Sequence, residues 1–462
     1  MIKFITNEEN LKYYKNYTKI AYGSLDECID YLKKKKEISI DIETTRKYPK
    51  YRYREDIYKP GLDPFVTNIC MLQIGDLKKQ FIIDVRNVDI TPLKEILESE
   101  DYLKIGHNLK FEVKHLLHSH GIYLQNVWDT MICERVLYNG EKLGYSLEAL
   151  MKRHLGYENY QNKDLFDAVE EDYEDENFDV FDFIDGKQEK LYIDKSIRTQ
   201  FIELGNKPFT EDQILYGATD ITAPLQLYEI QKKGRYVNGE LYKPDIGFKL
   251  ENKFVPVLGR IELRGISVNI EGWLNLFEKN TKLYVEKKKR LDKWVTDNYP
   301  RYSRTDLFSE QECLVDWKSP TEVVKFARYL EFCPKEKSKQ TGRMEYTVGA
   351  KAMFKLLSNE NKERFFAGEE KEFEGKDDIQ GFILNFLLLK KTQQLTTTFG
   401  KEWLRYIHPI TNKVYSNFIQ LMNTGRMSST SINLQQIPNG DEWRGLFIPE
   451  KSNNLICADY SA

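Results

Sequence analysis

The sequence predicts an α/β fold, and three observations carry that prediction. Residues 37–45, EISIDIETT, alternate apolar and polar side chains with the period of a strand. Two more apolar runs, Ile69–Ile74 and Gln80–Asp84, flank the turn-forming pair Gly75 and Asp76, so they read as antiparallel neighbours. From residue 106 the apolar period lengthens to that of a helix, and further helices follow. Strands first and helices afterwards indicate a mixed sheet covered by helical layers.

The elements follow in order. A short helix ends in the lysine run Lys33–Lys36 and leads into the strand at 37–45. After the antiparallel pair, Pro92–Glu98 reads as helical and Tyr102–Ile105 as a short strand. Residues 106–121, GHNLKFEVKHLLHSHG, form a helix with Leu109, Val113, Leu116 and Leu117 on one side and Gly121 as its C-cap. Helices are expected at Thr130–Leu137, Ser146–His154 and Thr210–Lys232. The acidic, aromatic-dotted stretch 168–186 reads as a solvated loop or insertion. The Gly- and Pro-bearing stretch 232–247 reads as a domain boundary. Beyond it come amphipathic helices at Leu250–Arg264, Thr281–Asn298 and Ile379–Thr398, with an irregular polar stretch at 300–345 between the last two. From Lys413 the pattern is strand-like, with a turn at Thr424–Arg426 and a buried strand at Asn454–Ala458.

At 462 residues, the chain is long enough for two or three domains with cores of their own. The formal net charge of −3 is too small to name a partner. Its distribution is uneven, however, and the mildly basic second half suits a phosphate-binding surface. Cys28, Cys70, Cys133, Cys313, Cys333 and Cys457 stand singly, which argues against a zinc ribbon or a disulfide framework and fits a reduced, cytoplasmic setting. No apolar run is long enough for a membrane span, and residues 1–14 lack the apolar core of a signal peptide.

Chemistry enters with carboxylates. Asp41 and Glu43 sit two apart on a strand, so both side chains leave the same face. Burying such a pair among Ile38, Ile40 and Ile42 is costly unless a cation neutralises it. An acid pair of this spacing is common on solvated edges, so it gains meaning only in combination. Asn108, Phe111 and Glu112 open the helix of residues 106–121. Tyr216 and Asp220 form an i,i+4 pair on a later helix and therefore share one face. Two-metal phosphodiester hydrolysis needs several carboxylates around one point. His107, His115, His118 and His120 lie close together without partner cysteines and read as non-ligands.

Asp41-x-Glu43, Asn108-x-x-Phe111-Glu112 and Tyr216-x-x-x-Asp220 together resemble the motifs of the DnaQ-like DEDD exonuclease superfamily, in its tyrosine-bearing branch. Trp128-Asp129-Thr130 resembles the segment that branch carries between its second and third motifs. The resemblance implies an RNase H-like domain over residues 1–235. It implies two Mg²⁺ or Mn²⁺ ions held by Asp41, Glu43, Glu112 and Asp220. Tyr216 would orient the attacking water, and Asn108 and Phe111 would hold a single-stranded 3′ end. One position departs: the family pattern has Asp where this chain has Glu112.

The second half has its own resemblance. Thr424-Gly-Arg-Met-Ser-Ser429, Asn433-Leu-Gln-Gln-Ile-Pro438, Arg444-Gly-Leu-Phe-Ile-Pro449 and Asp459-Tyr-Ser461 fall in the order of the palm motifs of family A DNA polymerases. Ile432 and Gln436 replace the family's Pro and Asn. Residues 390–398 resemble the long helix of that family's thumb. The implied organisation is a linker and mainly helical thumb over 236–410, then the first strands of the palm over 411–462. The implied DNA contacts are Lys390, Lys391, Thr424, Arg426, Asn433 and Gln435, with Asp459 as a polymerase metal ligand. The remaining palm and finger motifs lie outside these residues, so the expectation is a chain that binds primer–template but does not polymerise without a complementing C-terminal half. The competing readings are a stand-alone exoribonuclease like ribonuclease D, and a catalytically weak DNA-binding fragment.

Overall fold

The structure, a computed structural model, describes residues 1–48, 57, 59, 61–155, 178–184, 187–193, 195–305, 311–338 and 341–458. They fall into two compact units, Met1–Ile266 with Lys413–Ile437, and Ser267–Asn412 with Pro438–Ala462.

The first unit is built on seven strands: β1 (Ile2–Ile5), β2 (Ala21–Tyr22), β3 (Glu37–Arg46), β4 (Thr67–Gly75), β5 (Gln80–Asp84), β6 (Leu103–Gly106) and β7 (Val127–Asp129). Their order across the sheet is β2-β1-β5-β4-β3-β6-β7. β4 runs antiparallel to both β3 and β5, while β6 and β7 continue parallel to β3. β4 is nearly a continuous apolar run because both its faces are covered. On one face Ile40, Leu72 and Phe81 meet Leu109, Val113 and Leu116. On the other, Met71 and Ile82 meet Ile214 and Ala218. β1 and β2 were not foreseen, because their short runs sit in a polar N-terminal stretch and take their pattern only from pairing with the sheet.

Nine helices of this unit matter: α1 (Leu25–Leu32), α2 (Lys94–Leu97), α3 (Lys110–His120), α4 (Thr130–Leu137), α5 (Leu147–Leu155), α6 (Lys195–Ile202), α7 (Glu211–Asp220), α8 (Thr222–Gln231) and α9 (Asp245–Arg264). The expected helix at 210–232 is two helices, interrupted at Ile221. α7 starts on a capping box in which the Thr210 side chain and Gln213 satisfy each other's backbone N–H groups. α3 closes at Gly121, whose φ of 62° suits glycine. Of the acidic stretch, residues 178–184 pair with 187–193 as a hairpin; residues 168–177, 185 and 186 lie outside the described residues.

The second unit is helical: α10 (Ile270–Asn298), α11 (Pro320–Tyr329), α12 (Ala350–Lys355), α13 (Asn359–Ala367) and α14 (Ile379–Thr397). Phe382, Leu384, Phe386 and Leu389 of α14 are fully buried, and Trp294 of α10 stacks on Phe373 at 4.7 Å. Full burial contributes about 1.5–3 kcal/mol per such side chain, which holds α14 in place. Two expectations are corrected here. The polar stretch 300–345 contains α11, whose start is encoded by the Ser319 cap and by Pro320 in its first turn. Asn454–Ala458 is not a buried strand: it has no ladder partner among the described residues, and Leu455 and Ile456 are exposed. An apolar run becomes a strand only where another strand accepts its hydrogen bonds. Among the described residues no helix is long and apolar enough to cross a membrane.

Candidate metal centre

Asp41 and Glu43 leave the same face of β3, and the ladder with β4 slips just after Glu43. α7 lies over that face and brings Asp220 to them. One carboxylate oxygen from each of Asp41, Glu43 and Asp220 falls within 4.8 Å of the others. Gly217 favours this closeness. A Cβ there would stand 2.9 Å from Met71 Sδ and 3.0 Å from Gln73 Cγ, so a larger residue would require those side chains to shift. Tyr216 stands one turn before Asp220 on the same helix.

Glu112 comes from the first turn of α3 and is only 2 % exposed. It lies outside the tight trio, but its carboxyl lies beside that of Asp41. Burial, then the negative charge of Asp41, pushes its ionisation well above the usual carboxylate range. Its Oε2 has no hydrogen-bond partner among the described residues. Four acids are thus held together at a cost that a proton on Glu112 or a bound cation relieves. All-oxygen carboxylate donors suit a hard divalent ion such as Mg²⁺ or Mn²⁺, so these residues fit the metal that the motifs imply.

The entry to α3 is set by Asp129, a residue the sequence marked only as part of a flanking segment. Its Oδ1 accepts the N–H groups of Asn108 (3.0 Å), Met131 (2.9 Å) and Ile132 (3.3 Å). Its Oδ2 accepts Leu109 N–H at 2.8 Å. One carboxylate therefore caps α4 and also fixes the turn at Asn108, which is left-handed with φ 59°. Burial pushes the Asp129 carboxyl up, and the four N–H donors oppose that. Phe111 packs against His115, ring centroids 4.2 Å apart, and His115 Nδ1 donates to the Phe111 carbonyl at 3.0 Å. Asn108, Phe111, Phe65, Met131, Arg135 and Gln420 line part of a cleft of about 510 Å³.

Residues 21–166 match the family model described as 3'-5' exonuclease, and residues 339–462 match DNA polymerase family A. The chain thus carries one region similar to a 3'-5' exonuclease and another similar to DNA polymerase family A. The DNA polymerase I of Aquifex aeolicus is 24 % identical over 418 residues, covering 85 % of this chain and 56 % of that protein. The chain therefore spans little more than half of that relative. A ribonuclease D of Zymomonas mobilis is 25 % identical over 233 residues, covering 45 % of this chain and 48 % of that enzyme. In structure, the polymerase domain of Pol1 from M. smegmatis, described in complex with DNA primer-template and dNTP, aligns with a TM-score of 0.54 at 15 % identity. That alignment covers 98 % of this chain and 59 % of that one, and it shows a shared fold.

The residues of the family A polymerase motifs are less free than their pattern suggests. Lys390 Nζ donates to Trp317 O and Gln393 Oε1, both at 3.1 Å, and burial lowers its ionisation. Lys391 is exposed and lies over the Phe365 ring. In the first unit, Thr424 and Arg426 are exposed at a turn held by Gly425 N–H to Met422 O. Asn433 Oδ1 accepts Gln435 N–H, and Gln435 Oε1 accepts Ser429 N–H, so both side chains brace their own loop. Asp459 lies outside the described residues.

The sequence also missed an anchor in this unit. Glu262 on α9 accepts Lys110 Nζ at 2.6 Å, Lys114 Nζ at 3.0 Å and Phe418 N–H at 2.7 Å. Arg135 Nη1 donates to Leu421 O at 3.0 Å. The segment 413–437 is thereby fastened to α3, the helix that turns Glu112 toward the trio.

Proposed function

We propose that this chain is the 3′→5′ exonuclease part of a family A DNA polymerase, acting on single-stranded 3′ ends of DNA in proofreading. The convergence of Asp41, Glu43 and Asp220, with the buried Glu112 carboxyl beside Asp41, is the observation that carries the reading. Two Mg²⁺ or Mn²⁺ ions bound to these four acids would supply hydroxide and stabilise the leaving 3′ oxygen. Tyr216 then holds the attacking water, with Glu43 accepting its second hydrogen bond. Asn108 and Phe111, at the cleft, orient the terminal nucleotide, Phe111 by packing on its base or sugar. Residues 1–235 carry this chemistry. Residues 236–410 act as linker and thumb, and residues 411–462 open the palm. Lys390, Lys391, Thr424, Arg426, Asn433 and Gln435 are the candidates for primer–template contacts, and Asp459 for a polymerase metal ligand.

Digestion of 5′-labelled single-stranded DNA in Mg²⁺ and in Mn²⁺, with Asp41→Ala beside the parent, tests the proposal. Stepwise 3′ shortening that the variant loses supports it. No shortening in either metal overturns it and leaves a DNA-binding fragment. The similarity to ribonuclease D favours a second reading as an exoribonuclease, and faster digestion of the matching RNA would establish that instead.

A further inference from the structure

Gln73 is an outlier in the first unit. It sits in the middle of β4 and is 0 % exposed. Neither its Nε2 nor its Oε1 has a hydrogen-bond partner among the described residues. Buried amides are almost always paired, and an unpaired buried polar group costs about 1–3 kcal/mol. A methionine or leucine would fill the same space without that cost, and the neighbouring Met71 and Leu72 are such residues.

Its surroundings supply a reason. In the ladder Gln73 stands directly opposite Asp41. Opposed residues of an antiparallel pair leave the sheet on the same face, with Cβ atoms about 4.5–5.5 Å apart. That face is the one α7 covers. Gln73 Nε2 is 3.1 Å from the position a Cβ on Gly217 would take, the residue directly after Tyr216 and on the helix that bears Asp220. The amide is therefore enclosed by the strand bearing Asp41 and the helix bearing Asp220. It is also neutral, so it adds no charge to a crowded group of acids. Carboxylates that bind metals are commonly oriented by hydrogen bonds from a layer of residues behind them, and loss of such a partner typically costs 10–100-fold in metal affinity.

We propose that Gln73 is a positioning residue of the metal centre: its amide N–H groups orient the Asp41 carboxylate when divalent ions bind. The inference rests on the metal-binding reading above and adds the element that selects the pose of Asp41. Gln73 touches neither substrate nor reacting atoms. Its orphaned amide is the cost of keeping a donor ready beside a ligand that must turn.

The test uses Mn²⁺ alone as probe, with the whole chain and no DNA. Mn²⁺ affinity is measured by electron paramagnetic resonance for the parent, Asp220→Ala, Gln73→Met and Gln73→Leu, and each metal-free unfolding midpoint is recorded. The expected result is that Asp220→Ala loses the site and Gln73→Met binds Mn²⁺ about 10–100-fold more weakly. Its metal-free midpoint should equal or exceed that of the parent, because an unpaired amide has been removed. Gln73→Leu serves if the methionine variant does not fold. Parent-like Mn²⁺ affinity in a folded Gln73 variant overturns the inference while leaving the metal centre intact. A fall in affinity accompanied by a lowered midpoint also overturns it, since packing then accounts for both. If the parent itself binds no Mn²⁺, the metal-binding reading fails, and this inference with it.

Discussion

Gly259→Ala tests how the position of Glu112 is maintained. Gly259 lies on α9 where that helix crosses α3, and a Cβ built there would stand 2.6 Å from Val113 Cγ1. Carbon atoms prefer about 3.5–4.0 Å, so α3 and α9 must separate by about 1 Å or Val113 must leave its rotamer. Overpacking of this kind costs about 1–3 kcal/mol, and the better helix propensity of alanine returns up to about 1 kcal/mol. The net loss of about 1–2 kcal/mol should lower the unfolding midpoint by a few degrees, at about 2–4 °C per kcal/mol. The effect on activity should be larger. Val113 adjoins Glu112, and a displacement near 1 Å at a catalytic group can cost about 100-fold. Thermal unfolding and single-turnover digestion of single-stranded DNA measure the two effects. Adding Val113→Ala should restore part of both, because it reopens the space and the two sites are in contact. A Gly259→Ala protein with the parent's midpoint and rate would refute the argument that this crossing sets Glu112.

Four more outcomes are expected. Glu112→Gln removes a buried acid pressed against Asp41 and supplies an N–H in its place, so the metal-free midpoint should rise, the extra midpoint gained on adding Mg²⁺ should shrink, and exonuclease activity should fall at least about 100-fold; fluorimetry with and without Mg²⁺ checks it. His115 is fully buried and its ionisation is lowered from the ordinary 6.5 to about 4, burial being the first cause. The unfolded chain therefore takes up this proton first as pH falls, and about 3 kcal/mol of stability should be lost between pH 6.5 and 4; the loss should be smaller in His115→Gln across denaturant titrations at each pH. Asp129→Asn keeps one acceptor oxygen but turns an NH₂ toward a backbone N–H, so it should cost about 1–3 kcal/mol and weaken single-stranded DNA digestion, measured by chemical unfolding and the nuclease assay. In the second unit Lys391→Ala should lower the salt dependence of primer–template binding by about one ion, whereas Lys390→Ala should lower stability, since its ammonium holds Trp317 O; binding titrations at several salt concentrations separate them.

What the sequence disclosed and what it withheld have physical causes. β3, β4 and β5 were legible because each is a short run bounded by turn residues, and because Asp41 and Glu43 on one strand show their shared face through a period of two. Tyr216 and Asp220 were legible through a helical period for the same reason. The meeting of β3 with α7 was legible only through the motif resemblance, since the close approach at Gly217 has no local signature. Asp129 and Glu262 were missed because they act across 20 and more than 100 residues, on backbone N–H groups and on lysines that any surface helix might carry. α11 was missed although Ser319 and Pro320 announce it, because the polar residues around it outweighed the cap. Asn454–Ala458 was misread for the opposite reason: apolar composition was taken for pairing.

α3 shows how these pieces bear on one another. Glu112 turns from it toward Asp41, Lys110 and Lys114 turn from it toward Glu262, and its first residues follow a turn that Asp129 holds. Val113 meets α9 on a third side. The helix is thus tied at its entry turn, through its lysines and along Val113, and these contacts oppose a shift of α3 as a body that would relieve the burial of Glu112. The remaining relief is local: proton uptake, or a cation between the acids. A well-tied scaffold of this kind, with partly buried Asp41, Glu43 and Asp220 around the buried Glu112, favours binding of a divalent ion.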